Sequence, residues 1–387
     1  MSTDLVERVR QRLAVGGATP TPALVADAVR TEAGGVVGDA DLLAALRSLG
    51  DEFAGAGALE PLLRDPDTTD VLVTGPTEVW LDGGDGLRRT DIRFPDEDAV
   101  RRLAQRLALA AGRRLDDAQP YVDAWLPGSG PHGRVRLHAV LPPLAPDGTC
   151  LSLRVLRPAT HDLAALRALG TFDDRTATLL TAIVQSRLAF LVVGGTGTGK
   201  TTLLAALLGC VPGDERIICV EDAGELQPSH PQVVRLVARP ANVEGVGEVT
   251  VRELVRQALR MRPDRLVVGE VRGAEVCELL AALNTGHDGG AGTLHANSPA
   301  EVPARLEALA ALGGMSRPAL HSQLAAALQV VLHVRRRGGR RVLTEIGVVA
   351  RASDGVRVLP AWRNGIRHSG WPTLNALLNR KNGVPPC

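Results

Sequence analysis

The residues with the clearest chemical potential are Gly194 to Thr202, read GGTGTGKTT. They carry the spacing G-x-x-x-x-G-K-[ST], with Gly194, Gly199, Lys200 and Thr201 at its fixed positions. Glycines so spaced let the backbone turn tightly and aim its N–H groups at phosphate oxygens, with Gly195, Thr196, Gly197, Thr198 and Thr202 completing the cradle. Lys200 is expected to reach the β- and γ-phosphates of a nucleotide, ATP by expectation, and the Thr201 hydroxyl to ligate Mg²⁺. Composition gives an independent reason for this reading. Of 44 basic residues only Lys200 and Lys381 are lysines, so a chain that uses arginine almost everywhere keeps a compact ammonium here.

Hydrolysis needs more: an activated in-line water and compensation for charge in the transition state. Three stretches could supply these. The run GEVRG, 269–273, ends an apolar strand with Glu270 as its acid, Gly269 standing where an Asp is usual. Glu270 is therefore the expected orienter or base for the attacking water. The run EDAGEL, 221–226, clusters Glu221, Asp222 and Glu225 at a second strand end, and Glu221 and Glu225 are the candidates for holding Mg²⁺, partly through water. The run TGHDGGAGTLHANSP, 285–299, contributes His287 and His295. Their spacing does not match zinc ligands on one helix, and an imidazole beside a γ-phosphate would sense its presence.

These stretches need a scaffold that brings strand ends together. Leu188–Val193 (LAFLVV) is an apolar strand before the phosphate loop, and a helix with Leu203, Leu204, Leu207 and Leu208 follows it. Strands and helices then alternate to about residue 350, with a Thr250/Glu253 capping box, which predicts a doubly wound, largely parallel sheet over 176–350. A smaller α+β domain is expected over 51–157, helices over 1–50, a linker over 158–175 with a capping box at Thr171/Asp174, short strands over 330–360 with Gly338-Gly339 as a candidate hairpin turn, and a loose basic tail over 351–387. Eleven basic residues against two acids follow position 334, although the whole chain carries only +1. Five cysteines without a C-x-x-C pair suggest reduced thiols and no zinc site. No apolar run approaches the ~18 residues of a membrane span, so any membrane role is expected to be peripheral.

The four stretches, in this order, resemble the secretion-ATPase superfamily of type II and type IV secretion and type IV pili. The runs RMRPDRLVVGEVRGAEV and NTGHDGGAGTLHANSP, with GALEPLLRDPDTTDVLVTGPTEVWLD nearer the N-terminus, look most like its tight-adherence (TadA/CpaF) branch. The resemblance implies a RecA-like motor domain behind a PAS-like domain, a homo-hexameric ring and ATP held between the two domains. It also implies that His295 reports on the γ-phosphate. Arg134, Arg136 and Arg154 become candidates for arginines reaching the phosphates from the first domain, while an inserted GSGPHG (128–133) interrupts the family's usual run there. Glu270, Glu225 and His295 are the catalytic candidates. The implied setting is cytoplasmic, against the inner face of the cell membrane, with an inner-membrane secretion or pilus platform protein as partner. A nucleic-acid-dependent, conjugation-type ATPase is the alternative, motivated by the basic 335–341 run and opposed by the scarcity of stacking aromatics. A small-molecule kinase is the third reading, with no acceptor pocket or lid suggested by the sequence.

Overall fold

The computed structural model describes residues 8–9, 12, 27–29, 31–32, 55–83, 86–126, 134–156, 161–242 and 244–381. Most of the expected 1–50 helical segment and the GSGPHG run lie outside the described residues. The chain divides into two compact units, Met1–Arg157 and Pro158–Cys387.

The first unit is built on a six-stranded antiparallel sheet of β1 (Asp70–Thr74), β2 (Glu78–Asp82), β3 (Leu87–Arg89), β4 (Tyr121–Trp125), β5 (Arg134–Val140) and β6 (Cys150–Leu156), ordered β3-β2-β1-β6-β5-β4. Alternation explains the strands: in β1, Val71 and Val73 are buried while their neighbours are half-buried or exposed. A helix over Glu97–Ala110 places Val100, Leu103 and Leu107 in the same core. Asp96 caps it by accepting from the Ala99 amide at 2.7 Å. Strand β4 is an addition to the sequence reading, since YVDAW offers only Val122 and Ala124 as buried alternating positions.

The second unit carries nine strands: β7 (Phe190–Val193), β8 (Ile217–Glu221), β9 (Val233–Val237), β10 (Arg265–Val271), β11 (Ala291–Leu294), β12 (Val330–Arg337), β13 (Arg340–Ala352), β14 (Gly355–Arg363) and β15 (Ile366–Arg367). Their order is β15-β14-β13-β12-β7-β11-β10-β8-β9. From β12 to β9 all neighbours are parallel, and β13 to β15 extend the sheet antiparallel. Strand β7 lies inside this sheet with every residue buried. Phe190 and Val192 join the core on one face, and Leu191 and Val193 the core on the other. A strand covered on both faces reads as a continuous apolar run, as LAFLVV does.

Two expectations are corrected. The chain beyond 351 is not a loose tail: β13 and β14 pair over 345–363, and a helix over Trp371–Lys381 buries Leu374 and Leu378 one turn apart in the core. The arginines of this region sit at exposed positions of paired strands, so a high charge count concealed an alternating pattern. Within 158–175, a helix over Leu163–Ala168 buries Leu166, and Phe172 joins the same core. The helix Asp174–Gln185 is capped by Asp173, whose carboxylate accepts from the Thr176 amide at 2.8 Å, in place of the expected Thr171. The Thr250/Glu253 box is present in both of its hydrogen bonds.

Candidate active site

The parallel strands β7, β10, β11 and β8 deliver their C-terminal ends to one edge of the sheet, where open α/β sheets place ligands. Strand β7 runs into the phosphate-loop sequence, and the helix Lys200–Leu208 starts from Gly199, which holds φ +92°. Gly194 (φ +155°) and Gly197 (φ +70°) also adopt backbone that side chains resist. The Thr198 hydroxyl donates to the Gly195 carbonyl at 2.9 Å, and the Lys200 ammonium donates to that same carbonyl at 2.9 Å. Lys200 is only 7% exposed, and its burial lowers its pKa.

Glu270, near the end of β10, and His295, directly after β11, meet beside Lys200. His295 Nε2 lies 2.7 Å from Glu270 Oε1 and 3.4 Å from Lys200 Nζ. The approach to the carboxylate is a close charge contact outside hydrogen-bond geometry, and Glu270 Oε1 is buried with no hydrogen-bond donor among the described residues. Burial, and then the Lys200 charge, lower the His295 pKa, so the ring favours its neutral form. Burial alone would raise Glu270. The Arg272 hydrogen bond and charge, with His295 and Lys200, outweigh it and hold Glu270 below its ordinary value as a carboxylate. His287 is elsewhere: it contacts the Pro263 carbonyl at 3.1 Å, just before β10 begins. It therefore belongs to the opposite end of that strand from Glu270.

Arg272 was not among the sequence candidates. Its guanidinium bridges Glu270 Oε2 at 2.5 Å and Asp222 Oδ2 at 2.8 Å. The signal was present as the arginine two positions past the glutamate, but the partner 50 residues away was not readable.

The acidic run is arranged with Glu221 inside, Glu225 against Thr201 and Asp222 against Arg272. Glu221 is 3% exposed and accepts from the amides of Glu225 (3.0 Å) and Leu226 (2.9 Å). Burial pushes it up to about 7. A Cβ at position 269 would stand 2.6 Å from Glu221 Cγ. Gly269 therefore replaces the usual aspartate because the Glu221 side chain fills that space. Glu225 Oε2 accepts from the Thr201 hydroxyl at 3.4 Å, and burial raises the Glu225 pKa.

Among the described residues no group of three or more His, Cys, Asp or Glu forms a ready cage for a metal ion. The hard oxygens of Thr201 and Glu225, with the second Glu221 oxygen buried and without a partner, suit a Mg²⁺ that arrives on phosphates. Arg134 and Arg154 lie in the first unit. Arg154 pairs with Asp70 at 2.9 Å, and Arg134 sits over the Trp125 ring at 4.6 Å.

With this geometry in place, comparison with known proteins is decisive. A family model described as type II/IV secretion system protein matches residues 52–342. The chain belongs to the type II/IV secretion system protein family. A Mycobacterium tuberculosis H37Rv relative, provisionally named conjugal transfer protein Rv3659c, is 70% identical over 329 residues, covering 84% of this chain and 94% of its own. The type IV secretion system protein PtlH of Bordetella pertussis is 32% identical over 320 residues, covering 73% and 90%. Among solved structures, the pilus retraction motor PilT with bound ADP superposes with a TM-score of 0.52 at 22% identity, covering 81% of this chain and 83% of that one. The Legionella pneumophila ATPase DotB gives 0.51 at 19%, covering 78% and 77%. These likenesses establish the fold as a RecA-like α/β domain preceded by a smaller domain. The four sequence stretches are thus placed in a secretion-family ATPase fold.

Proposed function

We propose that this chain hydrolyses ATP and works as the motor of a secretion, pilus-assembly or conjugal-transfer system. The observation that carries the reading is the convergence of Lys200, His295 and Glu270 at the mouth of the phosphate loop. Backbone amides of 195–201 and the Lys200 ammonium would take the phosphates. Thr201 and Glu225 would hold Mg²⁺, with Glu221 behind them; when bound, the ion neutralises phosphate charge. Glu270, kept ionised beside Arg272, accepts a proton from the attacking water, and His295 fixes which way the carboxylate faces. Arg134 and Arg154 remain candidates for phosphate contacts from the first unit.

Glu270→Gln keeps the shape of the site and removes the base. Phosphate release should fall by about 10²–10⁴-fold with ATP binding retained. A Glu270→Gln protein that turns over ATP at the wild-type rate would sink the assignment. The working assembly in this reading is a homo-hexameric ring on the inner face of the cell membrane, acting on a membrane platform protein. No helix among the described residues is long and apolar enough to cross a membrane. Light scattering of the purified full chain with ATP tests the ring, and a monomer in every nucleotide state removes it.

A nucleic-acid-dependent ATPase is the second reading. It is favoured by the exposed Arg335, Arg336, Arg337, Arg340 and Arg341 on the β12–β13 hairpin and by the name of the M. tuberculosis relative. Turnover unchanged by single-stranded DNA, with no salt-sensitive DNA binding, would remove it.

A further inference from the structure

The β12–β13 hairpin leans on the phosphate loop at both ends. At Gly194 a side chain would run into the Val334 carbonyl. At Gly199 the nearest atoms to an added Cβ all belong to Arg341: Cδ at 3.0 Å, then Cγ and Nε at 3.8 Å. The Arg341 stem is therefore laid across the residue that opens the helix Lys200–Leu208, on the open face that glycine leaves. Arg341 is exposed, and no acidic partner pairs with it among the described residues.

This placement gathers positive charge at the loop. A helix N-terminus carries roughly half a positive charge, and cations there are normally avoided. Lys200 adds a second positive charge within the loop. On the hairpin itself Arg341 is registered directly opposite Arg336, and Arg340 opposite Arg337. A polyanion seated in the loop would offset the positive charge gathered there by Lys200, the helix terminus and Arg341.

We propose that Arg341 is a phosphate-positioning residue of the nucleotide site, supplied by the same unit that carries Lys200. The proposal rests on the ATP reading and adds a residue that neither motif spacing nor the acidic and histidine stretches indicated. The guanidinium, carried past Gly199 by its seated stem, donates to the phosphate chain. Arginine suits this because its planar fork presents several fixed donors. The seated stem also limits how far the charge can wander.

The test is calorimetric titration of the full chain with Mg·ATP and, separately, with inorganic tripolyphosphate. Wild type, Arg341→Ala, Arg341→Lys, Arg340→Ala and Lys200→Ala are compared. We expect Arg341→Ala to weaken both ligands about ten-fold or more, which is the size of a charged hydrogen bond. Arg341→Lys should restore part of the loss, and Arg340→Ala, on the other face of the hairpin, should match wild type. Wild-type affinity of Arg341→Ala for both ligands overturns the proposal. Loss confined to ATP, with tripolyphosphate unchanged, also overturns it by assigning Arg341 to base or ribose. Equal losses in Arg340→Ala and Arg341→Ala would reduce the effect to a general field and overturn it as well. A wild-type chain that binds neither ligand, like Lys200→Ala, would overturn the ATP reading and the proposal with it.

Discussion

Gly269 shows how one residue can stand for a functional group it does not carry. Sequence spacing marks it as a missing aspartate, and the structure gives the reason, because Glu221 occupies the volume from the neighbouring strand. Gly269→Ala should cost about 1–3 kcal/mol by overpacking. Glu221→Ala should cost its own amount by leaving the Glu225 and Leu226 amides without their acceptor. The two changes are in contact, so the double variant should cost less than the sum. Urea unfolding of all four proteins tests this, and strict additivity would argue against the contact. At this scale local spacing and strand ends pointed to Lys200, Thr201 and Glu270 as candidates, and the structure places Lys200 and Glu270 about one site. It did not disclose Arg272 or Arg341, whose partners come from strands tens of residues away.

Among the elements, β12 offers a pH-dependent test. His333 is 4% exposed, and burial, helped by Arg335, holds its imidazole down to about 4. Thr344 shares its hydroxyl between the His333 ring (3.3 Å) and carbonyl (3.2 Å), Glu301 favours the charged ring, and Glu345 is registered opposite His333. An unfolded imidazole titrates near 6.5, so between about 6.5 and 4 the unfolded chain binds more protons. The contribution is complete above that window and is lost as pH falls through it, by at most about 3 kcal/mol. Wild type should therefore lose more stability between pH 7.5 and pH 5 than His333→Leu, measured by urea midpoints. Equal losses would show that the folded and unfolded imidazoles titrate alike and would remove the depressed value. Elements with strong periodicity or capping chemistry were legible, as with Thr250/Glu253 and β7. The helix over Trp371–Lys381 was not, because it lies in a basic stretch and only Leu374 and Leu378 of it are buried.

Across the whole molecule, the first unit's core is separate from the two that flank the second unit's sheet, which predicts two unfolding transitions, one for each unit. A nucleotide held by Lys200 and Thr201 should raise the second unit's transition. At a hundred-fold excess over Kd the gain is about 2.7 kcal/mol. Scanning calorimetry with and without Mg·ATP checks this, and Lys200→Ala should abolish the rise. The doubly wound, largely parallel sheet was legible from the alternation of strands and helices, while the RecA-like form came only with the family resemblance; the strand order was not legible, since β7 lies between β12 and β11 and not beside β8. The Arg272 guanidinium joins Glu270 on β10 to Asp222, the residue after β8, and β8 and β10 are paired neighbours. One cation therefore ties two adjoining strand ends together, and neither carboxylate can turn or change charge without the other registering it.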